Sequence, residues 1–212
     1  MPRRSYDQYC ALSRALDVLG ERWTLLIVRE LLAGPRRYTD LHADLPGVST
    51  DVLASRLREL VSDGLVTRER VTRPATASVY ELTDRGRRLL PVLTALSGWG
   101  APLLTEPHPT DAVRAHWFAL PMLDLLLPPV AAAGLAGTAD LVLDEVVCLL
   151  RLDPADPGYA DAPAERPDAR LHLDLATCRA LAERRLTPAA AIAEGTLRIE
   201  GDTPLAKALR EA

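Results

Sequence analysis

The chain has 212 residues, with 25 basic and 29 acidic side chains and a formal net charge of −4. This length suffices for one large domain or two small ones, each with its own hydrophobic core. The three cysteines are widely spaced and form no C-x-x-C pair, and the four histidines lack metal-ligand spacing, so we expect no disulfide framework, no metal and no cofactor.

The N-terminal segment MPRRSYDQY carries two arginines without a following apolar stretch, so we expect no signal peptide. The most apolar run begins at Leu120 and is interrupted by Asp124 and by prolines at positions 121, 128 and 129. A spanning helix needs about 20 predominantly apolar residues, so we expect no association with a membrane. These features predict a cytoplasmic protein with reduced thiols.

Charge is unevenly distributed between the two halves of the chain. Residues 1–104 carry 15 basic and 12 acidic side chains, whereas residues 105–212 carry 10 basic and 17 acidic ones. The acidic half would be repelled by nucleic-acid phosphates, so only the first half is expected to lie on DNA.

Two helices are predicted before residue 34. The first runs from Tyr9 to Leu19 and stops at Gly20; the second, Trp23 to Ala33, is apolar nearly all round, as in a domain core. Arg36 and Arg37 follow. They could bind a phosphate, and a solvated arginine pair is an equally good interpretation.

Two short helices are predicted between Tyr38 and Leu65. Thr39 caps the first, Pro46-Gly47 ends it, and Ser49 starts the second. The buried stripe expected on the second helix consists of Leu53, Leu57, Leu60 and Val61. Its polar face consists of Thr50, Asp51, Ala54, Ser55 and Arg58. This pattern matches the helix-turn-helix signature, in which the second helix enters the major groove, although other small helical domains share such a stripe.

A β-hairpin is predicted next, from residues 65–71 and 78–83, and its tip region includes Arg68, Arg70, Thr72 and Arg73. An arginine-bearing hairpin after a recognition helix gives DNA a second contact. Thr83 then caps a helix that extends to about Gly98 and that Pro91 should kink or interrupt.

Residues 105–111, TEPHPTD, read as a linker. Beyond it we predict apolar helical pieces up to Gly134, two strands (DLVLDE and VVCLLRLD) and a loop over residues 154–168. The strand RLHLDL, two helices, the second opened by Thr187-Pro188, and the strand GTLRIEG complete the half. The expected fold class is α+β, with domains at residues 1–106 and 107–212.

Several motifs follow one another between residues 10 and 100: Gly20-x-x-Trp23 after Cys10, GPRRY, LPGVS, LxxRLRELxxDGLV and YELTDRGRxLLPVL. In this order and spacing they resemble the HxlR group of bacterial winged helix-turn-helix regulators. The resemblance implies a cytoplasmic transcription regulator that binds double-stranded DNA as a homodimer, at an inverted repeat with half-sites about one helical turn apart.

The resemblance and the helical pattern together give the expected site residues. The DNA-binding residues would be Arg36, Arg37, Thr39, Ser49, Thr50, Asp51, Ala54, Ser55, Arg58, Arg70, Thr72 and Arg73. The first and terminal helices form the dimer interface in this family, which here would use Leu12, Leu16, Leu89, Leu93 and Trp99.

Residues 167–202, PDARLHLDLATCRALAERRLTPAAAIAEGTLRIEGD, are similar to the sterol carrier protein 2-like (SCP2-like) domain. The resemblance implies a sheet-and-helix domain that holds an apolar small molecule. The residues expected to line its cavity are Trp117, Phe118, Met122, Leu126, Leu149, Leu173 and Ile192, all of which also suit an ordinary core.

Two mechanisms of regulation remain open, together with two other classes of protein: an enzyme, and a winged helix that binds only protein. An apolar effector in the C-terminal domain is one mechanism. The other is oxidation or alkylation of Cys10, since some HxlR relatives respond through a cysteine at this position, and the C-terminal domain would then be structural. The sequence contains no G-x-S-x-G, H-E-x-x-H or Gly-rich phosphate loop, so we expect no catalytic residues.

Overall fold

The computed structural model of the protein describes residues 5–71, 77–104, 108, 110–144 and 146–211. The chain divides into two compact units, Met1–Leu89 and Leu90–Ala212. The domain boundary after residue 106 stays a prediction from the sequence, whereas packing groups the helix at Leu90–Gly100 with the C-terminal residues.

The N-terminal unit combines short helices with a small antiparallel sheet in the order β1-β3-β2. Its described elements are α1 (Ala11–Leu19), α2 (Thr24–Leu32), β1 (Arg36–Arg37), α3 (Tyr38–Asp44), α4 (Thr50–Ser62), β2 (Val66–Val71), β3 (Ala77–Leu82) and α5 (Asp84–Arg87). The predicted hairpin is confirmed as β2 and β3. Strand β1, which the sequence did not predict, extends the hairpin into a third strand.

Helix α4 is positioned by a capping residue and a row of leucines. The Ser49 hydroxyl accepts a hydrogen bond from the Val52 N–H at 3.4 Å. The buried stripe comprises Leu53, Leu57 and Leu60. Val61, predicted to belong to this stripe, is instead exposed. The buried leucines are spaced three or four residues apart, which keeps them on one side of the helix. Val61 follows Leu60 directly and therefore lies about 100° further round the helix, outside that side.

Helix α3 begins two residues earlier than the sequence suggested, and this changes the role of Thr39. The N-cap position is Arg37, whose backbone N–H donates to Asp40 Oδ2 at 3.3 Å. Thr39 lies inside the first turn, where its hydroxyl donates to Asp40 Oδ1 at 3.2 Å. The prediction that Thr39 caps this helix is therefore wrong.

Thr83 connects the end of α4 to the helix after the hairpin. Its hydroxyl donates to the carbonyl oxygen of Gly64 at 2.7 Å and accepts from the Gly86 N–H at 3.1 Å. The predicted capping by Thr83 is confirmed, as is the interruption near Pro91, because α5 ends at Arg87 and the next helix starts at Leu90.

The C-terminal unit is built on a five-stranded sheet in the order β6-β5-β4-β7-β8, in which β4 and β7 are parallel and the other pairs antiparallel. Its described elements are α6 (Leu90–Gly100), α7 (Ala119–Ala132), β4 (Thr138–Leu143), β5 (Val146–Arg151), β6 (Gly158–Ala160), β7 (Ala169–Leu173), α8 (Leu175–Ala182), α9 (Pro188–Ala193), β8 (Leu197–Glu200) and α10 (Pro204–Glu211), with 3-10 turns at Ala101–Leu103 and Ala115–Phe118. Strand β6 lies within a predicted loop, and helix α10 was not predicted.

One face of this sheet is buried. The inward positions of strands β4, β5, β7 and β8 include Ala139, Leu141, Leu143, Leu150, Leu171, Leu173, Leu197 and Ile199. Helices α7, α9 and α10 all contact the sheet. The stretch Ala115–Ala132 is long and apolar enough to cross a bilayer by composition, yet half of it is buried inside the unit. That burial is typical of a core helix.

Candidate functional site

The outward face of α4 is polar and accessible. Ser49, Thr50, Asp51 and Arg58 are exposed, while Ala54 and Ser55 are half-buried. The Ser55 hydroxyl donates to Glu59 Oε1 at 3.3 Å. Hydroxyl, carboxylate and guanidinium groups are the side chains that form hydrogen bonds with base edges in a major groove.

Arg56 is a structural arginine on the same helix. Its guanidinium lies 2.7 Å from Glu59 Oε2 and 3.6 Å from Glu21 Oε2, and its side chain is largely covered. The pair with Glu59 lies within α4, whereas the pair with Glu21 ties α4 to the loop between α1 and α2. Arg58, by contrast, is exposed and is therefore the arginine of α4 that stands open to a ligand.

Tyr38 positions the start of α4, a role that sequence reasoning missed. Its hydroxyl donates to the carbonyl oxygen of Thr50 at 2.9 Å, and its ring stacks on His42 with centroids 6.4 Å apart. The bond joins the first residue of α3 to the first residue of α4. No local pattern identifies it, since the two residues are brought together only by the turn between the helices.

The predicted contact residues before α3 are divided between strand and helix. Arg36 pairs with Tyr80 and Arg37 pairs with Val79 in the sheet. Arg37 is exposed and Arg36 is half-buried, while Thr39 is exposed on α3. These positions follow directly from β1, which places successive side chains on opposite faces of the sheet.

The arginines of the hairpin share one face of the sheet. Register aligns Arg68 with Tyr80 and Arg70 with Ser78, so both arginines lie on the face that carries Arg36. Arg68 donates to the Ser78 hydroxyl at 3.1 and 2.9 Å, and its guanidinium lies 5.8 Å from the centre of the Tyr80 ring. Arg70, nearer the hairpin tip, is exposed.

The remaining hairpin predictions, Thr72 and Arg73, lie outside the described residues. Arg68 is an addition to the predicted set. The sequence placed it in the hairpin, but only the strand register shows that it shares a face with Arg70.

Large apolar side chains are exposed in both units. On α1, Leu12 is 67% exposed and Leu16 is also exposed. On α6, Trp99 is 73% exposed. Of the other predicted interface residues, Leu89 is half-buried and Leu93 is only 5% exposed. Because Leu93 is already covered within the chain, the open face of α6 consists instead of Val92, Leu96 and Trp99, continued by Leu103.

Cys10 occupies the N-cap position of α1 and is exposed. The backbone N–H groups of Ser13 and Leu12, with the Ser13 hydroxyl, lower the pKa of the Cys10 thiol below its ordinary value because they stabilise the thiolate. Cys148 and Cys178 are buried. Burial, assisted by the charges of Asp161 and Asp140, raises the pKa of Cys148 to about 12, and burial likewise raises the pKa of Cys178.

The residues expected to line an apolar cavity do not all lie on the same side of the sheet. Met122, Leu126 and Leu173 are buried, whereas Trp117, Phe118 and Ile192 are half-buried. Leu149 pairs with Asp140 on β4, and Asp140 pairs with Arg170 on β7. The side chains of these three residues lie on the face of the sheet opposite to that of Leu141 and Leu173. Since Leu173 lies on the inner face, Leu149 cannot line the same cavity, and that part of the prediction is wrong. Its period-two position in β5 was misassigned because the strand carries apolar residues on both faces.

Two family models match the chain. Residues 18–107 match the model described as HxlR-like helix-turn-helix, and residues 130–212 match the SCP-2 sterol transfer family. The C-terminal unit is accordingly SCP2-like, with the expected α+β fold.

Several curated regulators are similar in sequence. YvaP of Bacillus subtilis, an uncharacterised HTH-type transcriptional regulator, is 41% identical over 86 residues, which cover 41% of this chain and 80% of YvaP. An uncharacterised HTH-type transcriptional regulator of Mycobacterium tuberculosis is 40% identical over 107 residues, covering 50% of this chain and 67% of the relative. The HTH-type transcriptional regulator YodB of B. subtilis is 32% identical over 99 residues, covering 47% and 88%.

Solved structures also resemble part of the chain. The crystal structure of a putative HTH-type transcriptional regulator, ytcD, is 31% identical with a TM-score of 0.42, covering 44% of this chain and 96% of that one. The reduced form of YodB is 28% identical with a TM-score of 0.41, covering 48% and 100%.

The three thiols should differ sharply in reactivity. Iodoacetamide at pH 7.5 should modify Cys10 alone in the folded protein, because its thiolate is exposed and stabilised while the other two thiols are buried. Since its pKa is lowered, alkylation should stay fast as the pH falls to values at which an ordinary thiol has already slowed. Peptide mass spectrometry checks the result. Equal labelling of Cys148 in folded protein would contradict it, and urea-unfolded protein, labelled at all three positions, is the control.

Proposed function

The chain belongs to the HxlR-like helix-turn-helix family, and on that premise we propose that it is a dimeric regulator that binds an inverted repeat and responds to an apolar small molecule. Membership makes it a transcription regulator that binds DNA. The observation that supports the proposed site is the open polar face of α4 beside a hairpin whose arginines share one face. The proposal contains no catalytic step and places the action in the cytoplasm.

Helix α4 would enter the major groove with its N-terminal turns. Ser49, Thr50, Asp51, Ala54 and Ser55 would meet base edges, where a carboxylate accepts from a cytosine amino group and a hydroxyl serves either role. Arg58 would reach a guanine or a phosphate. The Tyr38 bond to Thr50 supports this arrangement because it fixes the first turn of α4 before DNA arrives.

Phosphate contacts would come from residues on the hairpin and near the start of α3. Arg70, with Thr72 and Arg73 nearer the tip, would contact the backbone or minor groove, and Arg37 and Thr39 would bind a phosphate before α3. Arg36, half-buried in the sheet, would contribute charge more than direct contact. Such contacts set affinity and its salt dependence, whereas α4 sets sequence preference.

The exposed apolar residues of α1 and α6 would form the homodimer interface. Large exposed apolar side chains on a helix are typical of interaction sites, and a second copy of the chain is the partner that an inverted repeat requires. The interface would use Leu12, Leu16 and Trp99 as predicted, with Leu89 at its edge and with Val92 and Leu96 replacing the covered Leu93.

The SCP2-like unit would hold the effector between its sheet and helices. Met122, Leu126 and Leu173 face the interior, and Trp117, Phe118 and Ile192 stand at half-buried positions from which they could close the space. Binding would shift DNA affinity by no more than the effector's difference in affinity between the two states of the dimer.

A thiol sensor is the alternative, and the position of Cys10 favours it. An exposed thiol of lowered pKa at a helix N-terminus is the environment in which cysteines react with oxidants and electrophiles. In this alternative the C-terminal domain is structural. The two mechanisms differ in the substitution that abolishes the response: Cys10→Ser for the thiol, and changes to the C-terminal interior for the effector.

Ser55→Ala and Arg70→Ala should weaken DNA binding in different ways. With a duplex selected in vitro against the full chain, Ser55→Ala should cost about 1–3 kcal/mol of discrimination between bases. Arg70→Ala should weaken binding to specific and random duplexes alike and reduce the salt slope by about 1. Fluorescence anisotropy at several salt concentrations measures both. If the two variants behave identically on both duplexes, the assignment of faces is wrong.

Leu96→Asp should dissociate the dimer, because a carboxylate buried between two apolar helices carries a large desolvation cost. Val146→Asp is the matched control: Val146 is 53% exposed and Leu96 is 48% exposed, both in the C-terminal unit. Sedimentation velocity should show a monomer for the first and a dimer for the second. A dimer that survives Leu96→Asp would exclude α6 from the interface.

The effector should co-purify with the full chain. Chloroform–methanol extraction followed by mass spectrometry should recover an apolar small molecule at roughly one per chain, since release into water exposes its apolar surface. Protein refolded from guanidinium after extraction is the control. If the extract of natively purified protein contains no such molecule, the structural role of the domain and the thiol mechanism are favoured.

A further inference from the structure

Helix α6 has two apolar faces with different surroundings. Leu90 and Leu93 are buried, and α6 packs on α7 within the C-terminal unit. Val92, Leu96 and Trp99 lie on the other side and are exposed. A surface helix normally has one apolar stripe, so a helix with two indicates two partners.

Its first partner, α7, is held on several sides. The buried positions of α7 are Ala119, Leu120, Pro121, Met122, Leu123, Leu126 and Val130, which cover much of its circumference. A helix buried nearly all round cannot shift without disturbing its neighbours. Helices α8 and α10 and strand β5 all contact it, so α7 responds to the elements packed directly against it.

A close approach between α6 and α7 occurs at Gly98. A Cβ atom added there would lie 3.7 Å from Asp124 Oδ2, at ordinary van der Waals distance. The same Oδ2 pairs with the guanidinium of Arg184 at 2.5 Å. Arg184 follows α8 with a positive φ of 58°, a conformation that a residue with a side chain adopts only when its surroundings hold it. Asp124 therefore joins α7 to the end of α8 beside α6.

The covalent connection of α6 to the N-terminal unit is short. Helix α5 ends at Arg87 and α6 begins at Leu90, so only two residues separate them. The family match over residues 18–107 includes α6, although packing groups this helix with the C-terminal unit. Helix α6 thus lies within the segment that matches the helix-turn-helix family, yet it packs with the SCP2-like unit.

We propose that α6 is a shared helix, held by α7 on one face and joined to a second copy of the chain on the other. The packing of α6 on α7 then sets the strength of self-association, and through it the affinity for an inverted repeat. This proposal rests on the proposed dimer. It assigns Leu93 and Asp124 a positioning role, since neither belongs to the exposed face of α6.

Leu93→Ala tests this role in the full chain. It removes a buried side chain from the α6–α7 contact without altering the exposed face, and sedimentation velocity should show a dimer dissociation constant raised at least tenfold. Leu197→Ala on β8 is the matched control, because Leu197 is 3% exposed and Leu93 is 5% exposed in the same unit. Its dissociation constant should stay within twofold of wild type.

The outcomes separate the two proposals. If wild-type protein is monomeric at all concentrations, or if Leu96→Asp leaves the dimer intact, the proposed dimer fails and the shared helix fails with it. If Leu96→Asp separates the copies but Leu93→Ala does not, the dimer stands and the shared helix is wrong. Equal weakening by Leu93→Ala and Leu197→Ala also overturns it, since general loosening of the unit would then be the cause.

A double-mutant cycle covers the case in which Leu93→Ala does not fold. Gly98→Glu places a negative charge beside the Asp124 carboxylate, and Gly98→Lys places a positive charge there. The two new side chains are of similar size. The dimer should be several-fold weaker with Gly98→Glu than with Gly98→Lys, and adding Asp124→Asn should close the difference. A difference that persists with Asp124→Asn arises at the dimer surface itself and overturns the proposed role of Asp124.

Discussion

The burial of three leucines on α4 determines which of its side chains are exposed. Burying each contributes about 1.5–3 kcal/mol, whereas the Ser49 cap contributes about 0.5–2 kcal/mol. The leucines therefore fix the rotation of the helix, and the cap fixes where it starts. If the buried positions shifted by one residue, the helix would turn by about 100°. Thr50, Asp51 and Arg58 would then leave the exposed side of the helix.

The sequence predicted those elements whose signals are local. Ser49, Thr83 and Thr187 each accept a backbone N–H at the start of a helix, as expected. Short apolar runs located β4, β5 and β8, alternation located β7, and helical spacing identified the stripe of α4. In each case the residues that specify the element lie within it or beside it, so neither long-range contacts nor a partner chain was needed to recognise the fold.

Several of the missed features depend on residues that are not neighbours in the sequence. Strand β1 consists of two arginines with no strand signal, and it forms because β3, more than 40 residues later, offers an open edge. Tyr38 meets Thr50 only after the turn has closed. Leu149 was placed in the apolar interior because its strand carries apolar residues on both faces, and only pairing with Asp140 shows which face it occupies.

The two units also differ in charge, and this limits how the C-terminal unit can act on DNA. Residues 105–212 carry 17 acidic and 10 basic side chains, so direct contact with phosphates is disfavoured. Any influence on DNA binding must therefore pass through protein contacts. Helix α6 is the described element that is suited to this, since it packs on α7, presents an open apolar face and is joined to α5 by two residues. In the proposed dimer, regulation through this helix would act on the spacing of the two α4 helices and leave the side chains of each α4 unchanged.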